Sequence, residues 1–162
     1  MKTKAKGVKS KLFGMVVEEV KAGNHGQLSQ IANLDQLCSQ DPWSLDTWRT
    51  KIRAANIRAA VVYNNEDRVI AFVVLARGMT KVHVTDILVS PDYRRIGVGR
   101  MLLDYLDFQF LDEVRSAMEI VVDERDRGTQ EFLKKCDVKA VEVLRGEPYG
   151  HYLFRRSFNP KD

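Results

Sequence analysis

The chain of 162 residues, 44% hydrophobic and 9% aromatic, is the length of one ordinary domain and apolar enough to fill a core; a folded chain of this size buries about two-thirds of its unfolded surface. This composition excludes a disordered chain, and two cysteines alone, Cys38 and Cys136, far apart and outside any C-x-x-C pair, exclude a disulfide miniprotein, a zinc ribbon and a dithiol redox motif. The net charge of +4 is local: Lys2, Lys4, Lys6, Lys9 and Lys11 stand in the first 12 residues without an acid, leaving 21 basic against 22 acidic residues elsewhere.

A lysine arm of this kind suits a weak contact with ribosome, nucleic acid or another anionic surface. The plainer expectation is a flexible solvated tail over residues 1–13, followed by one folded domain over 14–158. The apolar run from Leu12 to Val17 is too short for a signal-peptide core or a membrane span. With free thiols suited to a reducing compartment, a soluble cytoplasmic protein is expected.

In chain order, Met15–Val20 is rich in valine and reads as the first strand. Leu28, Ile31, Leu34 and Leu37 recur every three residues, and Trp43, Leu45, Trp48 and Ile52 gather on one side of 41–52, so two short helices follow. Arg58–Tyr63 and Arg68–Ala76 are apolar runs flanking Asn64-Asn65-Glu66-Asp67, the pattern of a hairpin. Val82–Val89 is a strand stopped by Pro91. From Gly97 the spacing changes to four, with Val98, Leu102, Leu106, Phe110 and Val114 forming the stripe of a long helix. Ala117–Val122 returns to strand, Gly128–Cys136 reads as a short helix, and Ala140–Leu144 and Tyr149–Phe154 close the chain as strands. This order implies an α/β (mixed α+β) fold, a central mixed sheet flanked by helices, which alone names no function.

Between Val89 and the long helix runs Ser90-Pro91-Asp92-Tyr93-Arg94-Arg95-Ile96-Gly97-Val98-Gly99-Arg100. Gly97 and Gly99 allow close approach to the backbone, the helix start leaves N–H groups without partners, and Arg94, Arg95 and Arg100 add positive charge, which together suit a phosphate group. The dinucleotide fingerprint is not met, because Gly99 is followed by Arg100, Met101 and Leu102, and the Walker pattern lacks its Lys-Ser/Thr, so dehydrogenases and nucleotide hydrolases are excluded. A tight turn with solvated arginines is the structural alternative.

Behind its Val-rich strand, Arg94-x-x-Gly97-x-Gly99 resembles the acetyl-coenzyme A loop of the Gcn5-related N-acetyltransferases (GNAT). With Pro42-Trp43-Ser44 before it and Val122-Asp123-Glu124-Arg125-Asp126 after it, the chain is similar over about residues 40–157 to the ribosomal-protein alanine N-acetyltransferases. The resemblance implies the GNAT acyltransferase fold with its twisted mixed sheet, acetyl-CoA as co-substrate, and acetyl transfer to a primary amine, in the first place a protein or peptide N-terminal α-amine. A small-molecule amine acceptor and a degenerate module that only binds acetyl-CoA stand as alternatives, and a homodimer is compatible with all three. The resemblance also implies that Ile87, Leu88 and Val89 hold the pantetheine arm by their backbone groups. The amides of Arg95, Ile96, Gly97, Val98, Gly99 and Arg100, with Arg94 beside them, would cradle the pyrophosphate, and Asp126 takes the place of an asparagine that contacts the coenzyme.

Amine acetylation needs a neutral amine, a polarised thioester carbonyl and a proton for the departing thiolate. The glutamate and tyrosine of the resembled subfamily fall on Val121 and Leu133, which move no proton, and its Leu-Gly-Phe falls on Cys136-Asp137-Val138, which implies a repacked end of that segment. His83 stands where other members of the superfamily carry a glutamate or histidine base, and histidine titrates near the working pH; a structural strand histidine is the alternative. By strand alternation Asp86 is expected on the face opposite His83. Tyr152 and Tyr149 are the remaining proton donors, with aromatic packing as their alternative, and Tyr152 is taken with His83 as the catalytic pair. Asp123, Glu124 and His151 read as solvated or turn residues, and Trp43 as core or as the wall of the acceptor groove.

Overall fold

The computed structural model describes residues 14–158 and the backbone of residues 8–9. Its elements are β1 (Val8–Lys9), β2 (Val16–Glu19), α1 (His25–Cys38), α2 (Leu45–Ile52), β3 (Ile57–Tyr63), β4 (Val69–Arg77), β5 (Lys81–Val89), α3 (Val98–Phe110), β6 (Ala117–Asp123), α4 (Arg127–Lys135), β7 (Lys139–Leu144) and β8 (His151–Ser157). Of the basic segment, only Val8–Lys9 is described, paired with Val17 and Val16; the expected flexible tail otherwise lies outside the described residues.

One eight-stranded sheet runs in the order β1-β2-β3-β4-β5-β6-β8-β7. β4 lies in its middle, and Val69 to Leu75 are buried without a break because helices cover both faces. On one face α1 and α2 pack Leu28, Ile31, Trp48 and Ile52 against Phe72 and Val74. On the other, α3 and α4 bring Leu102, Leu106 and Leu133 onto Met118 and Phe154. Every strand pair is antiparallel except β5 with β6, where α3 forms the crossover that a parallel pair requires. Among the described residues, no helix is long and apolar enough to cross a membrane.

Three of the boundaries that differ from the spacing-based expectations have a visible local partner, a hydrogen bond in two of them. The helix expected from Asp41 begins only at Leu45, because the Ser44 hydroxyl accepts the Thr47 N–H at 3.1 Å and caps it there. Trp43, left outside the helix, donates its N–H to Asp35 at 2.8 Å, and Trp48 donates its indole N–H to the same oxygen at 3.1 Å. The stripe on α3 stops at Phe110, and Val114 is exposed beyond it, since the Asp112 carboxylate takes the N–H groups of Val114 and Arg115 and turns the chain. Tyr149 precedes β8 instead of opening it, and its ring lies 3.7 Å from the Arg125 guanidinium.

The segment Cys136-Asp137-Val138 keeps a glycine-type ending for α4. Val138 N–H bonds to the Leu133 carbonyl and Asp137 N–H to the Lys134 carbonyl, a Schellman closure with Asp137 at φ 60°. An aspartate thus stands in the left-handed position, while Cys136 and Val138 on either side of it are buried in the core. A left-handed L-residue costs about 1–2 kcal/mol, and glycine loses about 0.5–1 kcal/mol of this gain through its freer unfolded chain. Asp137→Gly is expected to stabilise the protein by about 0.5–1 kcal/mol, seen as a rise of about 1–4 °C in thermal unfolding; an unchanged or lower Tm would contradict this account of the turn.

Candidate active site

β5 and β6 pair in register only from Lys81 with Ala117 to Val84 with Ile120. Beyond that point β5 continues against β4 as far as Val89, and β6 continues against β8 as far as Asp123, so the two parallel strands part. The backbone groups of Ile87, Leu88 and Val89 that face β6 therefore have no ladder partner there. They are the groups for which the resemblance implies a pantetheine arm.

The parting begins at a bulge. Val74 opposes Asp86 while Leu75 opposes Val84, which leaves Thr85 as an extra residue, its hydroxyl 3.3 Å from the Val74 carbonyl. Residues opposite one another on neighbouring strands share a face. Leu75 and Val84 face α3 and α4, whereas Val74, Phe72 and Leu88 face α1 and α2. Asp86, opposite Val74, and His83, opposite Ala76, thus lie on the same α1/α2 face. The expectation that alternation separates them fails because it counts no bulge.

After β5 the chain makes a single 3-10 turn, Pro91–Tyr93, and enters the loop. The turn is fixed from a distance: the Asn64 side chain, buried in the β3–β4 hairpin, donates to the Tyr93 hydroxyl at 3.1 Å. Arg94 folds back, with its Nε 3.0 Å from the Val89 carbonyl. Arg95 stands at φ 64° and Gly97 at φ 97°, two left-handed residues within three. Among the described residues, the backbone N–H groups from Arg95 to Arg100 find no backbone carbonyl; the next, Met101 N–H, bonds to Gly97. The loop is therefore a row of bare amides at a helix N-terminus, the setting that favours an anion.

The two glycines serve different needs. A Cβ on Gly97 would meet nothing within 4 Å, so only its dihedral angle demands glycine. A Cβ on Gly99 would come 2.7 Å from the Phe132 ring, so Gly99 lets α4 approach α3. Of the three loop arginines, Arg94 is spent on the turn, Arg100 donates to the Lys135 carbonyl, and Arg95 has no partner among the described residues.

The sequence over residues 28–137 matches the model of the acetyltransferase (GNAT) family. The chain belongs to the GNAT acetyltransferases. In structure it is similar to the ribosomal-protein-S18-alanine N-acetyltransferase from Escherichia coli, with a TM-score of 0.75 and 15% identity over 89% of this chain and 94% of that one. It is similar to Arabidopsis thaliana NAA60 in complex with a bisubstrate analogue, at 0.72 and 12% over 88% and 98%. A third likeness is to mutant forms of the spermidine/spermine N-acetyltransferase SpeG from Vibrio cholerae, at 0.68 and 18% over 88% and 94%. At such identities these likenesses are of fold. No curated protein matches the chain. The co-substrate of this GNAT acetyltransferase is acetyl-CoA, and the bare amides and parted strands fit its phosphate and amide groups.

Around this frame the acetyltransferase distributes its other candidate residues as follows. His83 is exposed, with its Nε2 turned toward the Gly78 turn, where a Cβ on that glycine would lie 3.7 Å away. Tyr152, opposite Val122, packs on the α3/α4 face, so the sheet separates it from His83. Val121 is exposed on β6, and Leu133 is fully buried in the α3/α4 core. Asp126 is the N-cap of α4: its carboxylate accepts the Thr129 N–H at 3.0 Å and hydroxyl at 2.7 Å. At the end of β6, Arg125 makes a two-point pair with Asp123, and His151 lies 4.0 Å from the same carboxylate.

Sequence reasoning missed Glu119. It lies opposite His83 on β6, buried, with Lys81 Nζ at 2.6 Å and an Arg155 guanidinium nitrogen at 3.1 Å. No motif marks it; only the parallel register brings these groups together. Burial alone would raise its pKa, but hydrogen bonds from Lys81 and Arg155 more than reverse this and hold it below the ordinary carboxylate range. A depressed folded pKa gives stability that is complete above the unfolded value near 4.5 and is lost as pH falls through the folded one. Glu119→Gln is expected to cost about 1–3 kcal/mol at neutral pH and to flatten the loss of stability below pH ~4.5; urea unfolding of both forms across pH checks it, and parallel acid limbs would refute it.

Proposed function

We propose that this acetyltransferase passes the acetyl group of acetyl-CoA to a primary amine that approaches the parted strands from the α1/α2 face. The observation that carries this reading is the end of β5–β6 pairing at Val84 and Ile120, directly before the loop of bare amides. The amides from Arg95 to Arg100 hold the pyrophosphate, with Arg94 bracing the turn and the free Arg95 guanidinium alongside. The backbone of Ile87, Leu88 and Val89 supplies the ladder positions that a pantetheine amide fills. Bound there, the co-substrate supplies an activated thioester carbonyl.

The chain's own groups manage protons on either side of the sheet. His83, on the acceptor's face, takes the proton released by the amine through water. The Tyr152 hydroxyl stands on the α3/α4 side, available to the leaving sulfur. Leu133 has no proton to give, and a tyrosine in its fully buried place would overpack the core. Asp126 acts through the fold of α4, since both its oxygens are engaged in the cap. For the acceptor, Pro42-Trp43-Ser44 and the likeness to the S18-alanine enzyme support a protein or peptide N-terminal α-amine. A small-molecule amine is the second reading, favoured by Asp86 on the same face.

Titration calorimetry with acetyl-CoA tests the coenzyme site. Wild type is expected to bind, and Gly97→Ala, strained at φ 97°, to bind at least about tenfold more weakly, or 1.4 kcal/mol. A folded mutant of unchanged affinity would remove the loop from the site. For His83→Gln, turnover of an accepted amine should fall by about 10²-fold with coenzyme affinity intact; equal turnover would return His83 to a structural role.

A further inference from the structure

The bulge at Thr85 gives Asp86 a place that strand alternation denies it. Its carboxylate is exposed on the α1/α2 face, two positions past the last β5–β6 pair at Val84. The groups that act on it are the Thr85 hydroxyl on its own strand and, through space, the charge of Asp35 on α1, whose carboxylate accepts hydrogen bonds from Ser39, Trp43 and Trp48. Neither brings a positive charge, and Asp86 forms no ion pair among the described residues. Val74, opposite on β4, is apolar. Although solvent reaches Asp86, desolvation raises its pKa; the Thr85 hydroxyl lowers it and the Asp35 charge raises it again. Exposed on this face, without an ion-pair partner among the described residues and close to where β5 and β6 part, the Asp86 carboxylate is open to a cation from outside the chain.

We infer that Asp86 is a specificity-determining residue that holds a positively charged nitrogen of the acceptor other than the one acetylated. This rests on the transferase reading above. The reacting nitrogen must be neutral to attack, so a carboxylate that favoured its charged form would oppose the reaction. A second charge on the acceptor meets no such penalty. The acceptor is then a cation of at least two charges, either a flexible polyamine or a peptide with lysine or arginine near its free N-terminus.

The test compares paired probes by calorimetry, with and without saturating coenzyme A: spermidine against butylamine, and the amidated peptide Ala-Lys-Ala against Ala-Gln-Ala. In at least one pair the more highly charged probe is expected to bind wild type at least tenfold tighter, and the pair that discriminates identifies the source of the charge. Asp86→Asn should abolish that preference and Asp86→Glu should keep part of it, with coenzyme A affinity unchanged in both. A tenfold preference that survives in Asp86→Asn, or wild type that prefers neither cation, overturns the inference. Failure of the transferase reading has a different signature: Asp86-dependent binding persists while no probe is acetylated.

Discussion

The geometry on which the site depends is a break in hydrogen bonding. β5 must pair with β4 along its whole length to complete the core, yet it pairs with β6 only as far as Val84. Unpaired backbone in the middle of a sheet carries a desolvation cost of several kcal/mol per buried group unless something else satisfies it. On the proposed reading, the break lies where a ligand rich in amides and phosphate oxygens enters and satisfies these groups. One inserted residue, Thr85, also turns the following side chains over, so which side chains stand on the α1/α2 face, where the acceptor is proposed to enter, is decided by the bulge as much as by residue identity.

Much of the architecture could be read from the chain because hydrophobic spacing and turn chemistry act locally. The valine runs of β3 and β4, the four-residue stripe of α3 and the Asn64–Asp67 turn each formed where they were expected, and Arg94-x-x-Gly97-x-Gly99 led to the family. What could not be read depends on register. Asp86 changes face through a bulge that leaves no mark in composition. Glu119 meets Lys81 and Arg155 across three strands that are far apart in sequence. Val114 fell off its helix because Asp112 offered a nearby pair of amides a better acceptor than the next turn could.

Departures from the family pattern also have physical reasons. Asp126 in place of an asparagine makes a two-point cap with Thr129, a use of the carboxylate that serves α4 first. Asp137 in place of a glycine preserves the path of the chain at the price of a left-handed backbone. Neither change lies in the loop between β5 and α3. The departures at Val121 and Leu133, where the resemblance implies a glutamate and a tyrosine, are of another kind, since no adjustment of packing gives either side chain a proton.

The link from Asn64 to Tyr93 joins the tip of one hairpin to the turn that opens the glycine loop before α3. Asn64 is itself immobilised, its carbonyl oxygen taking the N–H groups of Glu66 and Arg68. The loop is thus set before any ligand arrives, and the ordering entropy that a floppy phosphate loop would surrender on binding has already been surrendered during folding. On the proposed site, coenzyme affinity is therefore drawn partly from the turn at the tip of the β3–β4 hairpin, some thirty residues upstream in the chain. In the proposed site, a change that frees the Asn64 side chain at the hairpin tip acts on the loop without touching the ligand.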